Sequence, residues 1–132
     1  MLRFHDPEPF RSAGRPYAAA AQAGNTVYLA GQLPVVIENG ERRVVAPGDM
    51  AAQARQVFEN LRAVLRGLGG DLGDVAWIHV LVTDIGERLK MDPVRREYFG
   101  EPGPPATLAE VRALVLPEAM IEVTGIAVIG DG

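Results

Sequence analysis

The stretch from Met50 to Leu68 constrains the fold more than any other. Its apolar residues fall at Met50, Ala54, Val57, Phe58, Leu61, Leu65 and Leu68, in steps of four, three, one, three, four and three. That spacing follows one face of a 3.6-residue period, while Arg55, Glu59, Arg62 and Arg66 fall on the other. Asp49 stands where an N-cap belongs, able to accept from an orphan amide of the first turn, and Gly67, Gly69 and Gly70 supply the stop. One long helix is predicted, laid on something flat and apolar. Its arginines read as a solvated face.

The 132 residues predict a single domain over 1–132, large enough to bury about two thirds of its unfolded surface. With no cysteine, disulfides, thiolate metal sites and cysteine nucleophiles are excluded, and two histidines argue against a structural metal. The net charge of −4 and the lack of a basic stripe argue against nucleic-acid binding. No apolar run approaches the roughly 20 residues of a membrane span, and the N-terminus lacks a charged-then-apolar signal pattern. The expectation is a soluble cytoplasmic protein.

Pro7, Pro9, Gly14 and Pro16 predict an irregular lead-in with a short edge strand at Leu2 to His5. Tyr17 to Ala23, Gly24-Asn25 and Thr26 to Ala30 read as a hairpin, because the turn pair and the β-branched run outweigh alanine's helix propensity. Asn39-Gly40 sits between Val35–Ile37 and Arg43–Val45 as a second, smaller hairpin. After a turn at Asp71–Asp74, Val75 to Val82 is nearly all apolar, as in a strand buried on both faces. Alternation puts Trp77, His79 and Leu81 on one face, and Ile78, Val80 and Val82 on the other. His79 then reads as a core or interface histidine.

Asp92-Pro93 has the form of an N-cap followed by a first-turn proline, so a second helix is predicted over about Asp92 to Phe99. Further strands are expected near Thr107 to Leu114 and Ala119 to Ile129. The order predicts an α+β fold, a mixed sheet with two helices on one face. The other face has no helix left to cover it, which points to self-association. Glu122 sits in the middle of a strongly apolar strand, where an unpaired carboxylate costs several kcal/mol or has its pKa raised.

Five segments in order resemble one family. They are Gly24 to Pro34 around Gly31-Gln32, Gln53 to Leu65 of the long helix, Val80 to Asp84, Tyr98-Phe99-Gly100 with Pro104-Pro105-Ala106, and Ile121-Glu122-Val123. The chain is similar throughout to the Rid (YjgF-type) proteins, also called the L-PSP endoribonuclease family. The resemblance implies a chorismate-mutase-like fold, a homotrimer, and small-molecule clefts at the subunit interfaces. It implies hydrolysis of 2-imino or enamino acids to keto acids and ammonia, with no cofactor. Residue by residue, Tyr17 matches the family's pocket tyrosine, Gly31 its backbone amide position and Glu122 its water-handling glutamate.

Two positions depart from the family pattern. The arginine that clamps the substrate carboxylate falls on Ala106 or Thr107, and a frequent asparagine becomes Asp92, most economically a helix cap. A guanidinium fork on a carboxylate supplies several charge-assisted hydrogen bonds. Arg112 is the nearest basic replacement, five or six residues on. The expected function is therefore hydrolase or deaminase-type chemistry on an imine or enamine other than free 2-imino acids. A non-catalytic ligand-binding or chaperone-like role is the alternative, and RNA cleavage is disfavoured by the acidic balance.

Overall fold

The computed structural model describes residues 1–8, 10 and 15–130; Pro9 and Gly14, counted above in the lead-in, lie outside them. Ten elements follow in chain order: β1 (Leu2–His5), β2 (Ala20–Ala23), β3 (Thr26–Gln32), β4 (Val35–Glu38), β5 (Glu41–Val44), α1 (Met50–Gly67), β6 (Val75–Val82), α2 (Arg88–Phe99), β7 (Ala106–Glu110) and β8 (Ile121–Val128). Six strands form one sheet in the order β1-β2-β3-β8-β6-β7, with only β6 and β7 parallel; β4 and β5 pair separately. This is the mixed α+β sheet with helices on one face that the pattern predicts.

Helix α1 has the predicted cap: the Asp49 side chain accepts from Ala52 N. Its buried face, with Val57, Phe58, Leu61, Val64 and Leu65, packs on Val27, Ile78, Val80, Val123 and Ala127 of the sheet. Two polar residues share that buried face. Gln53 is fully buried; its Nε2 donates to Val45 O and Glu118 O, each at 3.0 Å, and its Oε1 accepts from Met120 N at 2.8 Å. Asn60 Nδ2 donates to Leu33 O and Val35 O at 3.0 and 2.9 Å. The carbonyls and amide they satisfy belong to irregular backbone that has no ladder partner for them.

The arginines of α1 do more than meet water. Arg55 pairs with Glu97, Arg62 pairs with Glu59, and both guanidinium groups lie over the Tyr98 ring. The Tyr98 hydroxyl donates to Glu59 at 2.7 Å, and that bond, followed by Arg62, holds the Glu59 carboxyl below the usual range. Phe58 meets Phe99 edge-on at 5.2 Å beneath this layer.

Helix α2 begins four residues before the expected start. A 3-10 turn at Ile85–Glu87, in which Asp84 accepts from Gly86 N, leads into it. Asp92 is therefore not its N-cap; it sits in the helix and pairs with Arg95 at 3.1 Å. Pro93 lies inside the helix, where it removes one backbone hydrogen bond. Burial of Met91 and Val94 on either side of it holds the early turn against that loss.

Strand β7 is shorter than expected. It pairs parallel to β6 as far as Val82 opposite Glu110, and Val111 N donates to Val82 O as the last rung. Beyond that β6 offers no more backbone, so 111–120 is an irregular connection. Arg112 is exposed on it and is not on the strand. The Asn39-Gly40 turn has φ of 52° and 79°, the paired positive values of a tight hairpin.

Register places the second face of the sheet. Phe4, Ala21, Tyr28, Ile126 and Trp77 stand opposite one another across five strands, with Thr124, His79 and Thr107 next and Glu122, Leu81 and Ala109 beyond. No described helix packs there: Phe4 is 73% exposed and Tyr28 50%. His79 lies on this open face, its ring 5.7 Å from that of Trp77. No described helix is long and apolar enough to cross a membrane.

Leu61, fully buried at the centre of α1, tests the scaffold. Leu61→Ala should cost about 2–5 kcal/mol, read from urea denaturation, without altering ligand preference.

Candidate functional site

The site is built on an irregularity in β3. Leu29 pairs with Gly125 and Gln32 with Val123, so Ala30 and Gly31 together face Thr124 alone. Such a bulge bends the strand and re-aims the groups around it. Thr124 Oγ1 donates to Leu29 O at 2.5 Å, and Ala30 N donates to Ala19 O at 2.9 Å, which fixes both sides of it. Asn60 holds Leu33 and Val35 immediately beyond.

Glu122 approaches this bulge from β8. A Cβ added at Gly31 would lie 2.9 Å from the Glu122 carboxyl carbon and overlap its oxygen. Glycine is demanded here by close approach, not by an unusual φ. The carboxyl is partly buried and has no hydrogen-bond or salt-bridge partner among the described residues. Burial pushes its pKa up, because desolvation disfavours the charged form. A carboxyl in that condition can give a proton and take one back nearer neutral pH than an ordinary surface glutamate.

Gly31 also lines a cleft with Phe10, Arg15, Tyr17, Val35 and Arg42. The enclosed part is about 30 Å³, room for a water molecule or two, and it opens to solvent. Arg15 donates to Phe10 O at 2.6 Å and to Asp6 Oδ1 at 2.5 Å, and its guanidinium lies 5.5 Å from the Tyr17 ring centre. Glu122 is not among the residues that line this cleft, but its carboxyl meets Gly31, which is.

The structure thus brings Tyr17, Gly31 and Glu122 into one neighbourhood. It leaves Asp92, Ala106, Thr107 and Arg112 out of the Gly31 cleft. Alternation along β7 separates Ala106 from Thr107: Thr107 stands opposite His79 on the open face, while Ala106 pairs with Ile78 and borders an open cavity of about 440 Å³ with Arg95 and Arg96. Two arginines of the cleft, Arg15 and Arg42, were not singled out by the sequence motifs. Arg15 directly precedes the Pro16-Tyr17 pair, and Arg42 alternates with Val44 on a strand; both signals were legible. Among the described residues no group of three or more His, Asp and Glu side chains could hold a metal ion.

A family model described as Endoribonuclease L-PSP matches residues 9–129. The chain belongs to this family, the Rid proteins. The 3-aminoacrylate deaminase RutC of Acinetobacter baylyi is 39% identical over 112 residues, which cover 85% of this chain and 86% of that protein. The crystal structure of RidA from an Antarctic Psychrobacter superposes with a TM-score of 0.77 at 34% identity, over 88% of this Rid chain and 90% of the other. TdcF of E. coli, solved with bound serine, gives 0.78 at 28% identity over 88% and 90%.

The raised pKa of Glu122 has a stability consequence. The folded state holds this proton more tightly than the unfolded chain. The resulting stabilisation is complete below the unfolded pKa of about 4.3 and is lost as pH rises through the folded value. Glu122→Gln keeps the shape and removes the charge. Its Tm should exceed the parent's at about pH 7.5, and the difference should close as pH falls to about 4. Thermal melts across that range would read it; a difference independent of pH would place its cause elsewhere.

Proposed function

We propose that this Rid protein hydrolyses an enamine or imine with loss of ammonia, using Glu122 beside Gly31, and that free 2-imino acids are not its substrates. The observation that carries the reading is the unpaired, partly buried Glu122 carboxyl set directly on a strand bulge. Of the deaminases among its relatives, one is named for 3-aminoacrylate, an enamine with its carboxylate one carbon further from the nitrogen-bearing carbon than in a 2-imino acid, and another for 2-iminobutanoate and 2-iminopropanoate.

The chemistry needs one group that gives and regains a proton. Protonated Glu122 donates to the carbon next to the nitrogen-bearing one; the C=C pair forms the new C–H bond, and the nitrogen lone pair forms a C=N⁺. The carboxylate then takes a proton from water as the water oxygen bonds to the nitrogen-bearing carbon and the C=N pair returns to nitrogen. Glu122 returns this proton to nitrogen, the C–N bond breaks with its pair to nitrogen, and ammonia leaves. The hydroxyl proton goes back to Glu122 as the carbonyl forms. One water is consumed and the glutamate is regenerated.

Residues 1–132 act in this reading as one domain within a homotrimer. Three observations support assembly: the open face carries Phe4, Tyr28 and Trp77, the cleft encloses only about 30 Å³ in one protomer, and Ala106 and Thr107 lie away from it. A neighbouring copy's β7 edge would complete the cleft and cover the apolar patch. The lack of a guanidinium at Ala106 or Thr107 favours a second reading, ligand binding without turnover.

The test follows ammonia release from 3-aminoacrylate generated in situ, with semicarbazide trapping of unhydrolysed imine as a second readout. Accelerated release, reduced at least about hundredfold by Glu122→Gln as expected for loss of a proton-transfer group, supports the proposal. A rate equal to the protein-free control removes enzymatic turnover, and acceleration that survives Glu122→Gln removes this mechanism. Gly31→Ala should lower the rate as well, because its methyl group would displace the Glu122 carboxyl.

A further inference from the structure

The β4–β5 hairpin, outside the main sheet, reaches the cleft. Its register pairs Val35 with Val44 and Ile37 with Arg42, so Val35, Ile37, Arg42 and Val44 share one face. Val35 is buried and lines the cleft with Gly31, and Arg42 lines it too. The next residue, Arg43, points the other way, is 61% exposed and pairs with Glu38. Arg42 differs on each count: it is partly buried and has no hydrogen-bond or salt-bridge partner among the described residues.

An arginine drawn partly out of water at a concave site, with no carboxylate paired to it among the described residues, is suited to take the anion of a ligand. The other cation of the cleft is already committed, since Arg15 is engaged by Asp6 and the Phe10 carbonyl. The positions to which the family resemblance assigns a carboxylate clamp carry Ala106 and Thr107. We propose that Arg42 is the specificity-determining cation of this protein, binding the carboxylate of the substrate from the hairpin side of Gly31.

This assignment rests on the proposed enamine chemistry and deepens it. The anion site and the proton donor then meet at one glycine: Arg42 lines the cleft that Gly31 lines, and the Glu122 carboxyl lies against Gly31. A substrate would span Gly31, its carboxylate toward Arg42 and its nitrogen-bearing carbon toward Glu122. That layout separates the two ends of the ligand and suits a β-enamino acid, whose carboxylate is not attached to the reacting carbon. A neutral enamine of the same shape would gain nothing from Arg42.

Two measurements on the full-length protein test this. In turnover, 3-aminoacrylate is compared with its methyl ester in the parent, Arg42→Ala, Arg42→Lys and the control Arg43→Ala. Arg42→Ala should raise KM for the acid about tenfold to hundredfold, the range expected for losing charge-assisted hydrogen bonds, with kcat changed little. The ester's KM should stay unchanged, Arg42→Lys should recover part of the loss, and Arg43→Ala should behave as the parent. An equal effect on acid and ester, or none on either, overturns the assignment. The second measurement needs no turnover: propionate and propionamide are titrated while the Gly31 amide resonance is followed by NMR. Propionate should shift it in the parent and not in Arg42→Ala, and propionamide should act alike on both. A propionate response that survives Arg42→Ala, or none in the parent, overturns the assignment even if the protein proves catalytic. A response lost in Arg42→Ala upholds it even if no enamine is hydrolysed.

Discussion

Two amide side chains on an otherwise apolar helix face hold the functional end of this molecule together. Gln53 ties the end of the small hairpin to the connection that enters β8, and Asn60 ties down the backbone on either side of Pro34. Gly31 and Glu122 sit at the ends of just these segments. Irregular backbone buried under a helix leaves donors and acceptors that must be met, and leaving one unmet costs about 1–3 kcal/mol. Meeting them from α1 fixes the bulge and the start of β8 relative to each other. The helix is scaffold, as its apolar stripe suggests, but two of its buried positions set the geometry of a site on the far side of the sheet.

The parts of the fold legible in the sequence are those governed by local chemistry. The capped apolar stripe of α1, the Asn-Gly hairpin and the alternation of Val75 to Val82 each follow from a period or a turn requirement. The parts that were not legible depend on partners. β7 stops at Glu110 because β6 stops at Val82, which no residue between 107 and 114 announces. Asp92-Pro93 has the form of a helix start, yet the buried Met91 extends the helix back to Arg88. Gln53 and Asn60 fall within the apolar stripe of α1, so their burial follows from the period once polar residues are included in it.

The site was legible in identity more than in arrangement. Family resemblance marks Tyr17, Gly31 and Glu122, and a buried carboxylate in an apolar strand is an anomaly on any reading. What the sequence does not reveal is the separation of roles around Gly31. Gly31 lines one cleft with Tyr17, Arg15 and Arg42, and the Glu122 carboxyl lies against it. Gly31 lies in a bulge that places two residues opposite one partner, and bulges leave no reliable mark on a single chain.

The electrostatics of this arrangement are internally consistent. An arginine beside Glu122 would hold its carboxyl low and ionised, useful for binding a cation and useless for donating a proton. Burial alone raises it here, and no guanidinium offsets that. Arg42 is therefore not spent on the glutamate. In the proposed reading, a clamp moved from β7 to the hairpin leaves the acid undisturbed and the cation free, so one protomer would carry both a proton donor and an anion site without either neutralising the other. The departure at Ala106 and Thr107 then reads as a relocation of charge, and the ligand it favours is one whose carboxylate and reacting carbon are kept apart.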